Sequence, residues 1–385
     1  METGGGNMAL EGSKWKEGLV SIVTPVYNGE AHLAGMLDSV LAQTYPEIEM
    51  ILADDGSEDA TLQVAESYRE RFAARGYVYR IVQAPHRNAS SAINAGLPYV
   101  TGEYLIWPDS DDVLEPESVA RRVAFLESRP QYQCVRSLSY YFDESTKERL
   151  DKADEQRGDL SREDLFWDIL ESRTFVCCGC YMLRSEPFFH IYPQRHIPEY
   201  DVGQNFQMLL PFVYRHKCPT IREELYGVAV RAGSHSRTGL TQEREEKRYA
   251  EYEMLVDDIA EICGMEDEAL RQRITAWKAA RRYRISLKYR RWRETLRALG
   301  QLHRCEGFRL GDAVKEVIWA FFVKGWVAEK VYTYYRKSNC RKNRKIAEAG
   351  AVGSEACEVI PGGQGGRPGI TCAPARHSSP GKSGP

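Results

Sequence analysis

Residues 104–112 read Tyr104-Leu105-Ile106-Trp107-Pro108-Asp109-Ser110-Asp111-Asp112, an apolar run that passes directly into three acids within four positions. The apolar part predicts a short buried strand, and the proline and acids predict its C-terminal exit. Carboxylates at i and i+2 past a strand end suit a hard divalent cation such as Mg²⁺ or Mn²⁺, which keeps coordination sites free for phosphate oxygens. Taken alone the pattern says little, because acids commonly serve as turn residues and 28% of the chain is charged. Its weight comes from its neighbours.

Working outward, residues 19–24 form a buried-type strand, and Asn28-Gly29-Glu30 opens a helix that runs to about Gln43. A second strand over 48–53 ends in Asp54-Asp55-Gly56-Ser57, and a helix follows over 59–74. Strands over 77–82 and 103–107 flank a helix around 90–100. Strand and helix alternating at this spacing predict a parallel sheet covered on both faces. Such sheets bind ligands at the carboxyl ends of their strands, where Tyr27, Asp54-Asp55 and Asp109-Asp111 all fall. Between about Glu115 and Arg237 the pattern turns mixed, with short strands around 134–141 and 220–230 and a helix around 202–212. Beyond Gln242 it is helical to about Ile346, and the Gly, Pro and Ser of the tail predict disorder.

Four segments, Ser21-Ile22-Val23-Thr24-Pro25-Val26-Tyr27-Asn28, Asp54-Asp55-Gly56-Ser57, Ala92-Ile93-Asn94-Ala95-Gly96 and Gly102 to Asp112, stand in the order and spacing that resemble the family-2 glycosyltransferases. The resemblance spans about residues 18–125, weakens to about 240 and does not reach the C-terminal helices. It implies a GT-A fold, a Rossmann-like α/β sheet flanked by helices, here with a C-terminal helical extension. It also implies inverting transfer from a nucleotide sugar, UDP-linked in this reading, to a glycan or lipid-linked acceptor in cell-surface polysaccharide synthesis. The implied divisions are a leader at 1–17, a nucleotide-sugar half at 18–125, an acceptor half at 126–240, a basic helical region at 241–346 and a tail at 347–385.

Site roles follow residue by residue from the same resemblance. Tyr27 lays its ring on the base and Pro25 fixes the turn that exposes it. Asp55 accepts the imide N–H of uracil, with Asp54 in support or capping the next helix. Arg87, Asn94 and Ser110 complete the donor contacts; Asp111 holds Mn²⁺ or Mg²⁺, with Asp109 at the ribose or the metal. Inversion needs one carboxylate as general base. Asn205 stands where the family places it, in Val202-Gly203-Gln204-Asn205-Phe206, and an amide cannot serve, so Asp201 is the first candidate and Glu199 the second. His235, in the loop Arg231 to Arg237, is a candidate for the metal shell or the phosphate. The rival reading is a non-catalytic nucleotide-sugar binder or scaffold of the same fold.

Composition fits these expectations. No run of about 18 uncharged apolar residues predicts a spanning helix, and Met1-Glu2-Thr3-Gly4-Gly5-Gly6 is no secretory signal, so a cytoplasmic protein is expected. The 10 cysteines are scattered and read as small buried hydrophobes and not as zinc ligands. The net charge of −3 conceals a basic end: residues 271–345 hold about 22 Lys and Arg against 5 Asp and Glu. With Tyr283, Tyr289 and Trp292 interleaved, this stretch predicts peripheral attachment to an anionic membrane surface on the inner face. A helical bundle and a homo-oligomer contact are the alternatives, and no nucleic acid is expected.

Overall fold

The computed structural model describes residues 15–150, 158–231 and 241–304. In chain order the elements are β1 (Lys16–Val26), α1 (Leu33–Leu41), β2 (Ile48–Asp54), α2 (Thr61–Ser67), α3 (Arg69–Ala74), β3 (Val78–Gln83), α4 (Ala89–Gly96) and β4 (Gly102–Ile106). There follow β5 (Val113–Leu114), α5 (Ser118–Glu127), β6 (Cys134–Asp143), β7 (Arg149–Leu150), α6 (Phe166–Leu170), β8 (Tyr181–Arg184) and α7 (Ser185–Ile191). The last are α8 (Gln204–Arg215), β9 (Thr220–Val230), α9 (Gln242–Cys263), α10 (Glu268–Lys288) and α11 (Trp292–His303).

Nine strands make one sheet in the order β3-β2-β1-β4-β8-β6-β9-β5, with β7 beside β6. The first four are parallel to one another, and β8 joins β4 and β6 antiparallel. Val20 to Val26 and the whole of β2 are buried, as strands covered on both faces require. Between β1 and β4 the strand order reverses, and a ligand crevice opens at the carboxyl edge of such a switch point. Tyr27 follows β1 there, and Trp107 to Asp111 follow β4. The expected GT-A-type α/β sheet with flanking helices is therefore the observed one.

Pro25 requires a correction. It is buried inside β1, paired with Ala53, and offers no turn or surface to a base. The β1–β4 ladder ends at Ile22 opposite Ile106, so a residue without N–H is tolerated three positions later.

The C-terminal helices pack on this body. Leu255, Val256 and Ile259 of α9, with Ile274 and Trp277 of α10, belong to the same apolar core as the sheet, and the Trp277 indole donates to Leu170 O at 2.8 Å. A small cluster of Ala279, Tyr283, Ala298 and Leu302 joins α10 to α11. Here part of the basic stripe is spent internally: Arg282 grips Glu253, Lys278 meets Asp257, Lys288 meets Glu245 at 2.6 Å, Arg291 meets Glu246 at 2.5 Å and Arg273 meets Glu171 at 2.7 Å. Arg281 lies over the rings of Tyr249, Tyr252 and Trp277 at 4.5 to 4.8 Å. An ion-paired helical bundle is what residues 271–304 display; the remainder of 271–345 lies outside the described residues. Among the described residues no helix is long and apolar enough to cross a membrane.

Candidate active site

The loops after β1, β2 and β3 lock together at the carboxyl edge. Asn28, held at a left-handed φ of 49°, accepts from Glu58 N at 2.9 Å while its own N–H donates to Ser57 Oγ at 2.9 Å. Asp54 is buried and turns its carboxylate onto Ser57 N at 3.2 Å, which fixes the loop. Asp55, also buried, receives Arg87 N at 3.0 Å on one oxygen and His86 Nδ1 at 2.9 Å on the other. Gly56 makes this approach feasible, because at φ +73° a side chain would be strained and its Cβ would meet His86 N at 2.9 Å. The His86 ring in turn stacks on Tyr27, with centroids 3.9 Å apart and planes at 13°. Tyr27 keeps 43% of its surface exposed.

After β4 the acids diverge in environment. Asp112 is buried and bound by Tyr226 Oη at 2.8 Å and Ala229 N at 2.9 Å, a structural tie. Burial, with the charges of Asp109 and Asp111, holds its carboxyl well above the usual range. Asp109 is pushed up to about 6 by burial and then by the charge of Asp111, while hydrogen bonds from Cys178 and Gln204 draw it down. Asp111 faces Arg231 at 3.2 Å. Ser110 lies between these acids, partly exposed. Carboxylates crowded until one resists ionisation, with a guanidinium already drawn to the outer one, form a donor set that fits a divalent cation. Among the described residues no group of three or more His, Cys, Asp and Glu side chains forms a ready-made cage. Asp109 and Asp111 would therefore leave most coordination sites to phosphate and water. His235 lies outside the described residues.

The segment before α8 supplies the facing wall. Gly203 takes a left-handed φ of +67° at the helix start, where a Cβ would meet Leu255 at 2.9 Å and Tyr252 at 3.0 Å. Asn205, the position of the missing carboxylate, accepts from the Trp107 indole at 3.1 Å, and Gln204 binds Asp109. The Gln204-Asn205 pair thus braces the end of β4. Asp201 is half exposed, held by Asn88 Nδ2 at 3.2 Å and Lys247 Nζ at 3.2 Å. Asn88 also caps α4 by accepting from Ser91 N at 2.9 Å. Glu199 is spent on Asn94 and His196, each at 3.2 Å, with Arg87 at 3.5 Å. Buried Asn94 accepts from Ile197 N at 2.8 Å and donates to Ile197 O at 2.9 Å, so it clamps the 196–199 segment and offers a ligand little.

One cavity of about 590 Å³ collects these features. Asp111, Asp201, Asn205, Arg231, Arg248 and Tyr252 are among its walls; Glu199 is not. Of the strand-end acids, Asp111 thus borders the same space as the leading base candidate, Asp201.

Residues 21–191 match the sequence model described as glycosyl transferase family 2. Over those residues the chain is similar to that family. EpsE of Bacillus subtilis, carrying a provisional glycosyltransferase name, is 35% identical over 125 residues, 32% of this chain and 44% of its own length. An uncharacterized glycosyltransferase of Rickettsia prowazekii is 38% identical over 28% of this chain and 32% of its own length. This chain therefore spans less than half the length of these two relatives. Among solved structures, S. aureus TarS 1–349 in complex with UDP-GlcNAc aligns with a TM-score of 0.55 at 17% identity, over 83% of this chain and 92% of that chain, a likeness of fold.

Several site residues escape sequence reasoning. His86 gives no signal in its loop, and Gln204, Tyr226 and Trp107 read as ordinary polar or core positions. Arg248 and Tyr252 come from α9, beyond the family motifs and the matched residues.

Proposed function

We propose that this protein is a family-2 glycosyltransferase that moves a sugar, with inversion, from a UDP-sugar to a hydroxyl of a glycan or lipid-linked acceptor in cell-surface polysaccharide synthesis. The observation that carries the reading is the shared cavity of about 590 Å³ bordered by Asp111 and Asp201. The base lies near Tyr27 and Asp55, each held by His86. Because the imidazole already stacks on Tyr27 and binds Asp55, a uracil that uses both contacts must displace it or share them. Arg231 turns from Asp111 to the donor diphosphate.

Asp109 and Asp111 would hold Mn²⁺ or Mg²⁺. Bound there, the cation neutralises charge on the departing diphosphate. Asp201 is the general base: the acceptor oxygen bonds to the anomeric carbon, its proton passes to the Asp201 carboxylate, and the sugar–phosphate C–O bond breaks with its electron pair leaving on UDP. Asn88 and Lys247 orient that carboxylate. Glu199 is set aside as base because its oxygens are taken and it stands off the cavity. Residues 271–304 lend no support to membrane attachment, since many of their cations are already paired.

A non-catalytic binder of the same fold is the second reading, favoured by one observation: Asn205, in the family's base position, is committed to Trp107. The deciding experiment is donor turnover over a panel of UDP- and GDP-sugars with wild type, Asp201→Asn and Asp201→Glu. Base catalysis contributes on the order of 10²–10⁴-fold, so Asp201→Asn should lose about that factor in transfer while retaining UDP binding. Full activity in Asp201→Asn would remove Asp201 from the mechanism, and UDP binding without turnover across the panel would favour the binder.

A further inference from the structure

We propose that Arg248 recognises an anionic oxygen group, phosphate or carboxylate, on the acceptor, an inference that rests on the transferase reading above. The charges on the cavity wall pair off unevenly. Asp111 faces Arg231 at 3.2 Å, and Asp201 faces Lys247 at 3.2 Å. Arg248 is the third cation on or beside the cavity, and among the described residues it has no hydrogen-bond or ion-pair partner. The acid one turn back on the same helix, Glu245, is taken by Lys288 and Tyr289, each at 2.6 Å. Arg248 acts on Glu245 through its charge alone, so among the described residues its planar fork is left without a hydrogen bond in a concave, partly buried wall, where it suits bidentate binding of a carboxylate or phosphate.

Its place in the chain selects the acceptor over the donor. Donor phosphates have Arg231 and the Asp109–Asp111 cation site at the end of β4. Arg248 comes instead from α9, next in sequence to the Lys247 that holds the base candidate. Tyr252, four residues on, shares its helix face and borders the same cavity, so an apolar ring stands beside the cation. A hydroxyl presented to Asp201 brings its neighbouring substituents to this helix face, and a negatively charged one would meet Arg248.

The test uses the full chain with UDP and Mg²⁺, and reads binding of four probes by saturation-transfer NMR: glycerol 3-phosphate and methyl glucuronide, against glycerol and methyl glucoside. The wild type should bind at least one anionic probe roughly ten-fold or more tighter than its neutral counterpart, as a charged hydrogen bond implies. Arg248→Gln should bring the pair to near equality, and Arg248→Lys should restore part of the preference. Whichever anionic probe is preferred names the group as phosphate or carboxylate. Equal binding of charged and neutral probes, no binding of any probe by the wild type, or an undiminished preference in folded Arg248→Gln would overturn the proposal. Failure of the wild type to bind UDP counts against the transferase reading instead, and the anion arms decide Arg248 independently of it.

Discussion

At the scale of single residues, the site depends on what each carboxylate or amide is already bonded to. Asp112 and Asp54 are consumed by backbone and hydroxyl partners, whereas among the described residues Asp111 has Arg231 alone and Asp201 has Asn88 and a lysine. Substituting Asp111 with alanine should therefore leave the fold intact, abolish metal-dependent UDP binding in calorimetry and reduce turnover by at least about 100-fold, the scale of losing electrostatic help to a leaving group. Asn205 predicts the opposite behaviour. Asn205→Ala strands the Trp107 indole, a buried donor, and should cost about 1–3 kcal/mol in denaturant unfolding. Asn205→Asp, though it restores the family's carboxylate, should not raise turnover, because the side-chain oxygen at this cavity wall is already held by the Trp107 indole N–H; a several-fold gain would show that the base belongs there. The identity of Asn205 is plain in the sequence, but its partner is 98 residues away and no local pattern reports it.

At the scale of elements, the parallel half of the sheet was legible because its strands are continuous apolar runs that end in marked residues. Residues 48–53 and 220–230 fall on the observed β2 and β9 to within a residue. β5, β7 and β8 were not legible: two have two residues each, and β8 follows Cys178-Gly179-Cys180, which resembles a loop. Pro25 misled for a related reason, since only the early end of the β1–β4 ladder makes a proline acceptable within β1. The α8–α9 contact was also hidden, because it depends on Gly203. Gly203→Ala places a side chain in left-handed backbone against Leu255 and Tyr252, and should cost about 1–3 kcal/mol in thermal or denaturant unfolding. The same change should weaken any anion binding at Arg248, because α9 would be pushed from the cavity. An unchanged melting temperature would contradict that packing.

At the scale of the whole molecule, the described C-terminal helices are part of the same body as the sheet. α9 lends Leu255, Val256 and Ile259 to the main core and Arg248 and Tyr252 to the cavity, so a chain ended before residue 242 should expose apolar surface and lose cooperative melting. A truncated chain that melts cooperatively at the full-length temperature would refute that dependence. The basic excess read from the sequence is real, but charge totals do not say which acids lie opposite, and α9 supplies many of them. The most direct measurement of the central claim is titration calorimetry of UDP into the full chain, with and without Mn²⁺, for wild type and Asp111→Ala. UDP binding that requires both Mn²⁺ and Asp111 is the predicted result. Binding that is indifferent to metal and to Asp111, or no binding of UDP under any condition, would contradict it.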